Sequence, residues 1–532
     1  VTAGATAGRW KVDPRTPCII GVAQETHRPG EGPCPEPLAL WASTARAAAD
    51  DAHATAPGGG RAVLDAAGSL QVVYCMAWAY DAPVDRLADE LGIDPRHRVY
   101  SGIGGTTPQV LVQDAGERIL RGELDMAVIT GAEALETKRQ AKRQAGAGPG
   151  REDWRDLLGW RFRAEHPPPF PFEAPFHPAE VAHEVFQAWL TFPTFDVARR
   201  ARRGIAPDEY ERAIGRLLAP MSEVAATNPY AWFPRALSAE HLSTPTPENR
   251  LVGYPYTKQA VSIMDVDMAA TVIVASHAAA DALGVPAERR AYLHGWCYAT
   301  DPVYLAEHPD PSASHAMAAA SAEALRGAGA SIDDVAHLDL YSCFASSVHL
   351  ACDALGLATD DGRGLTVTGG LPFSGGAGSN YLLHSIAAMV EVLRDDPGSL
   401  GLVSGVGMHM TKHVYGVYGT DPPAGGGATP PDDGVQARLD AAHPATPIVA
   451  VHDGPGRVAT YTVAHGKGGA AEWGLVLVDV PDGSGRAYGR VEDPELLTAL
   501  EEDEWVGRSV VLTPTERPNG PVNLVTVPIP DI

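Results

Sequence analysis

Cysteine is scarce in this chain: six residues, at positions 18, 34, 75, 297, 343 and 352, are spread over 532. No two have C-x-x-C spacing, so neither a zinc knuckle nor a disulfide framework is suggested, and reduced thiols are expected. Long apolar runs are missing as well. No stretch is apolar for long enough to span a bilayer, and the opening VTAGATAGRWKVDPRTP has neither the apolar core nor the cleavage pattern of a secretory signal. Basic charge is in deficit: 41 Lys and Arg against 66 Asp and Glu leave a net charge of −25, which opposes nucleic acid and anionic membrane as partners. These absences predict a cytoplasmic chain. Its length and 45% hydrophobic content allow a large core and more than one domain.

What is present is an alternation of apolar strands and amphipathic helices. CIIGVAQ (18–24) reads as a strand, LALWASTARAAADDA as a helix and SLQVVYCMAWAY as a strand; RVYSGIGG, a further helix and DMAVITGAEA continue the series. AYLHGWCYA (291–299), HAMAAASAEALRGAG, VAHLDLYSCFASS, GLTVTGG, SNYLLHSIAAMVEVLRDD and SLGLVSGVGMH repeat it. Two copies of one α/β unit, with βαβ layers and buried parallel sheet, are therefore predicted. The first copy covers 15–137 and 255–283, and the second 284–420. Residues 138–254 between them begin with a basic stretch and a proline-rich aromatic one, and read as an insertion over the sheet. TDPPAGGGATPPDDG makes 421–434 a linker. Six short apolar runs and one helix in 435–532 predict a small antiparallel barrel.

The second helix of the first copy has a telling start. Thr107 is placed to cap it, Pro108 suits its first turn, and Gly122 stands where the apolar pattern stops. A side chain just before its N-terminus would meet free backbone N–H groups and the positive end of the macrodipole, the setting that lowers a cysteine's pKa. Gly104 and Gly105 occupy that place.

The duplicated core, the segment GELDMAVITGAEAL and the closing DVDMAATVIVASHAAADALGVP together resemble the thiolase superfamily over residues 15–420. PCIIGVAQ, TGGLPFSGGAGSNY and GMHMTKHVYGVY are most similar to the thiolase-like proteins of type 1, relatives of the sterol-carrier-protein thiolases that carry an extra C-terminal barrel. The resemblance implies a layered α/β/α/β/α thiolase fold with a helical loop insertion and an OB-like barrel. It also supplies four loops for comparison. The nucleophile loop, Cys-x-x-Gly in thiolases, has Gly105 at the cysteine, or Gly104 if one residue is inserted. The Asn-Glu-Ala-Phe or His-Asp-Cys-Phe loop corresponds to Tyr341, Ser342, Cys343 and Phe344. The Gly-His-Pro loop corresponds to LPFSGGAG after Gly369 and Gly370, which holds no histidine. The Cys-x-Gly loop corresponds to VSGVGMH, with Ser404 or Gly405 at the cysteine. Nucleophile and base act as a unit, so the loss of all three reactive side chains excludes ordinary thiolysis.

The remaining residues each carry two readings. Cys343 is a nucleophile or an apolar filler. Tyr341 is an acid or base, or a packed phenol; Tyr298 is a second proton carrier or a capping aromatic. The glycines allow close approach, so backbone N–H groups of Gly105 and Gly376 would face a carbonyl oxygen. His409 and His413, at i, i+4 with Lys412 between them, would suit a metal on a helix, yet no third ligand is near and none is expected. Lys138, Arg139, Lys142 and Arg143 form a solvated charge run or a contact for the phosphates of coenzyme A. Three functions follow: a thiolase-like protein of acyl-CoA metabolism without thiolase activity, a carbon–carbon lyase that cleaves 3-hydroxyacyl-CoA by a retro-aldol step, or a non-catalytic acyl-CoA binding or scaffold protein. No cofactor is expected, with a coenzyme A thioester as ligand, and the assembly expected is a monomer or weak dimer.

Overall fold

The computed structural model describes residues 12–32, 34–144 and 175–527, so most of the proline-rich HPPPFPFEAPFHP stretch lies outside the described residues. In chain order the strands are β1 (Pro17–Thr26), β2 (Ser69–Val72), β3 (His97–Tyr100), β4 (Met126–Ala134), the hairpin β5 (Leu251–Gly253) and β6 (Tyr256–Thr257), β7 (Asp267–Ser276), β8 (Ala291–Thr300), β9 (Val335–Asp339), β10 (Leu400–Gly407) and β11 (Lys412–Gly419). β12 (Gly454–His465), β13 (Ala471–Asp479), β14 (Arg486–Val491), β15 (Ser509–Arg517) and β16 (Gly520–Thr526) complete the set.

The first eleven, without the hairpin, form one sheet in the order β3-β2-β4-β7-β1-β8-β11-β10-β9. Its two ends repeat each other. β2 runs parallel to β4 as β9 does to β10, β4 pairs antiparallel with β7 as β10 does with β11, and β7 meets β1 antiparallel as β11 meets β8. The duplication expected from sequence is therefore present, but each half is a mixed sheet, not a parallel one. β1 and β8 join the halves through only Cys18–Tyr292 and Ile19–Ala291.

Helices lie on both faces and between the halves. Pro37–Asp51 packs outside the first half, with Leu40, Trp41, Ala45 and Ala48 fully buried. His315–Ala328 and Ala345–Leu355 pack outside the second. Thr107–Arg121 and Tyr381–Asp395 share a middle cluster in which Val110, Leu111, Ile386 and Met389 meet Ile129, Val272, Val403 and Val414 from both half-sheets. This gives the α/β/α/β/α order.

The expected strand in GLTVTGG is absent. Asp339 takes its hydrogen bonds: one carboxylate oxygen accepts from the Thr366 hydroxyl (2.7 Å), Val367 N–H (2.9 Å), Thr368 N–H (3.2 Å) and the Thr368 hydroxyl (2.9 Å). Donors that a sheet edge would need are spent on a buried anion, so β3 has no counterpart. SLQVVYCMAWAY likewise yields a strand only over Ser69–Val72, because the Glu133 carboxylate accepts from Met76 and Ala77 N–H and holds a loop there.

After residue 450 the strands close into a five-membered ring, β12-β13-β14-β16-β15 and back to β12, with the helix Pro494–Glu502 between its third and fourth strands. The side chain of Asp493 caps that helix by accepting from Glu495 and Leu496 N–H. The ring has five strands, not the six expected from 435–532: PIVAVHD contributes only an isolated bridge, Ile448 to Arg486. Strand β5, which the sequence reading places at the end of the insertion, and strand β6, which it places in the first half of the core, extend this second sheet beyond β12. Residues 421–434 lie against the core, with Gly426 O accepting from Asp13 N–H and the Thr16 hydroxyl.

Candidate functional site

The loops that the sequence singles out converge at one end of the sheet. The turn after β3 carries Gly102–Gly105 into the helix Thr107–Arg121, the loop after β9 carries Tyr341 to Phe344, and the end of β10 carries Ser404 to Gly407. The helix begins as expected from Pro108 and ends on Gly122 at φ 72°, a left-handed value that glycine adopts without a Cβ penalty. Its cap differs from the expectation. Thr107 is the first helical residue, and its hydroxyl turns 3.4 Å back to Gly102 O instead of capping.

Gly105 is packed, not open. An ideal Cβ there would overlap Val406 O and the Tyr341 hydroxyl, and would lie 2.6 Å from Tyr341 Cζ. The Tyr341 phenol thus fills the space in which a nucleophile's side chain would project. Its N–H donates to the Ser404 hydroxyl at 2.9 Å, and its ring stands edge-on to Tyr381 at 5.8 Å. Burial pushes the phenol far above the usual range for tyrosine.

Cys343 is a half-buried thiol 3.8 Å from the Ser347 hydroxyl, and desolvation pushes it up to about 12, away from the thiolate needed for attack. Ser404 is engaged with Tyr341, while a Cβ on Gly405 would meet Leu382 at 2.6 Å and Val414 at 2.8 Å. Neither position holds a proton shuttle. Gly376 departs from the expectation: its N–H donates to Ile263 O at 2.9 Å and so ties down residues 262–264 instead of facing a ligand.

Tyr298 packs against the middle cluster, whereas Tyr341 belongs to the outer one, so the two phenols are not brought together. The Tyr298 hydroxyl is buried with no hydrogen-bond partner among the described residues, and burial alone raises it. His409 and His413 are not on a helix: His409 lies in the turn before β11 and bonds the Thr191 hydroxyl at 2.7 Å, while His413, on the strand, lies 3.2 Å from Asp301. Lys138 and Arg139 sit on the helix Leu135–Gln144, donating to Met76 O and pairing with Glu136; Lys142 and Arg143 are exposed in its last turn.

Two site residues escape the sequence reading. Tyr381 braces Tyr341 and bonds Thr368 through its hydroxyl at 2.6 Å. Lys412, read only as a spacer between two histidines, puts its amine under the glycine turn, with Nζ donating to Ile103 O at 3.0 Å. A lysine 6% exposed at a strand start has no periodic signal that marks it.

No protein-family model and no curated protein matches the chain. Among solved structures it is similar to a monomeric SCP2-thiolase-like protein type 1 from Mycobacterium smegmatis, 34% identical over 97% of this chain and 100% of that one, with a TM-score of 0.81. Two others share the fold alone. The dimeric peroxisomal thiolase of Saccharomyces cerevisiae is 13% identical, covering 77% of this chain and 99% of its own, with a TM-score of 0.53. An Ltp2-ChsH2(DUF35) aldolase is 17% identical, covering 76% and 98%, with a TM-score of 0.54. Identity at that level across nearly the whole length, on a duplicated core whose nucleophile position is a packed glycine, places the chain in the family of SCP2-thiolase-like proteins type 1.

Proposed function

We propose that this chain is a thiolase-like acyl-CoA protein that does not carry out thiolysis. The observation that carries the reading is the filled space at Gly105: there is no sulfur at the helix N-terminus, and a tyrosine ring occupies the room one would need. The substrate class rests on kinship with thiolase folds, and Lys142 and Arg143 supply exposed cations for coenzyme A phosphates. The apolar gap between Phe233, Leu237, Ile263 and Phe373 measures about 30 Å³, so an acyl chain entering there displaces one of these side chains. With acetoacetyl-CoA and free coenzyme A the expected result is no thiolysis and no acyl-enzyme, together with a heat of acyl-CoA binding by calorimetry. An acyl-enzyme burst refutes the first half; absence of heat refutes the second.

The retro-aldol reading has its own support in the placement of the Tyr341 hydroxyl against Gly105, where a reacting group would sit. Tyr341 would take the hydroxyl proton of a 3-hydroxyacyl-CoA as the carbon–carbon bond breaks, for which it must act as phenolate, against the burial that holds the phenol protonated. If so, Tyr341→Phe lowers release of acetyl-CoA or propionyl-CoA by about 10²-fold or more, the scale of general base catalysis. Unchanged turnover removes Tyr341 as the base, and binding without turnover in either assay selects the non-catalytic reading.

We also propose that the chain is monomeric, as the Mycobacterium smegmatis protein is described. Light scattering is expected to give the chain mass of 55.9 kDa at all concentrations. A constant value of twice that overturns it.

A further inference from the structure

Outside the second half of the core, a cavity of about 410 Å³ opens between the end of the helix Ala188–Arg203, the start of His315–Ala328 and the last turns of Ala345–Leu355. Three guanidiniums from one helix end line it: Arg199, Arg202 and Arg203. Arg199 is buried; its Nε and one Nη hold both oxygens of Asp353 at 2.7 and 2.9 Å, and its other Nη donates to the Tyr210 hydroxyl at 3.1 Å. Arg203 donates to the same carboxylate at 2.6 Å. Arg202 pairs with Asp310 at 2.7 Å and donates to the Ser312 hydroxyl at 3.1 Å. Asp196 reaches Arg199 only through the Tyr210 hydroxyl and is matched by His349. Two cations therefore share one carboxylate, which leaves a surplus of positive charge on this lining in a chain of net charge −25.

We propose that this cavity binds a phosphate monoester. The carboxylates fix where each guanidinium sits, yet the Nε and one Nη of both Arg202 and Arg203 have no partner among the described residues. Those free edges present paired N–H groups, the geometry that matches phosphate oxygens, and a dianion neutralises the surplus charge. A phosphate monoester has three terminal oxygens to serve two guanidiniums at once, where a carboxylate has two. The rest of the volume, against Ala318 and Leu350, admits a body of sugar or nucleoside size. A free phosphorylated metabolite and the 3′-phosphate of coenzyme A both offer this chemistry.

Adenosine 3′,5′-bisphosphate and inorganic phosphate are the probes, titrated by calorimetry at low ionic strength. Each is expected to bind at one site per chain, with an affinity that falls as salt rises. The double variant Arg202→Gln, Arg203→Gln removes two exposed side chains and leaves Asp353 paired with Arg199, so the fold is kept. It is expected to weaken both probes about tenfold or more, the scale of one lost bond to a charged group. Arg212→Gln, an exposed arginine on another helix, is expected to leave them unchanged. Coenzyme A and dephospho-coenzyme A separate the two sources. A loss in the double variant for coenzyme A alone assigns the phosphate to its 3′ position, and no loss for either assigns the cavity to a separate metabolite. A loss for both places the contact on the diphosphate and overturns the monoester. No saturable heat with either probe overturns the inference, as does equal affinity in the double variant, and succinate that binds as tightly as the bisphosphate overturns the ligand class.

Discussion

Gly105→Cys does not create a thiolase; it yields a destabilised protein without an acyl-enzyme. The new Cβ would overlap a backbone oxygen, Val406 O, which cannot rotate away, and the hydroxyl of a tyrosine braced by Tyr381. Overpacking of a well-filled interior costs about 3 kcal/mol at the upper end of its usual range. Gly105→Ala should cost a similar amount, since both substitutions add the same clashing atom. Tyr341→Phe in the same background gives little relief, because Cζ remains 2.6 Å from the added carbon. Urea midpoints with an unchanged slope measure the loss. A cysteine variant as stable as the parent, or one that accumulates acyl-enzyme, contradicts the packing argument. The absent nucleophile is thus more than a lost sulfur: the surrounding loops have closed over its place.

That closure explains which parts of the site could be read from sequence. Local periodicity reports which face of a helix or strand is buried, so the duplicated core and the strands of the C-terminal ring follow from alternation within single segments. The glycine turn was equally readable, because Pro108 and Gly122 mark the two ends of one helix. What fills the void in front of Gly105 is a different kind of fact. Tyr341 is 236 residues away in sequence, and no pattern within its own loop says that its ring crosses to that turn. Lys412 escaped for the same reason, since a strand's first residue reveals neither its burial nor the glycines that make room for it. The missing strand in GLTVTGG is a third case: its β-branched residues favour a strand, and a single carboxylate, Asp339, outbids the sheet for their N–H groups.

The loop that carries Tyr341 depends in turn on a buried anion supplied by the insertion. Asp196, on the helix Ala188–Arg203, is fully buried and accepts hydrogen bonds from Tyr210 (2.7 Å) and Tyr256 (2.6 Å), with His349 Nδ1 at 2.7 Å. The Tyr256 hydroxyl accepts from Ser346 N–H at 3.1 Å, fixing the start of the helix that follows Phe344. Removing one member of such a network leaves the others desolvated and unpaired, so Asp196→Ala is expected to cost about 3–5 kcal/mol. Asp196→Asn, which keeps the volume and one acceptor, should cost less. The pH dependence has a definite sign. Burial raises the Asp196 carboxyl, but the charge of His349 and the hydrogen bonds from His349, Tyr256 and Tyr210 bring it below its ordinary value of 3.8. The folded chain therefore binds fewer protons at this site than the unfolded chain does. Its contribution is present above about pH 3.8 and is lost as pH falls through the lower folded value. Denaturant titrations of wild type and Asp196→Ala between pH 2 and 6 should show the difference in stability shrinking on the acid side of that window. A difference that stays constant across the range would mean that Asp196 acts by packing alone, and a loss below about 1 kcal/mol at pH 6 would mean that the three partners find other bonds.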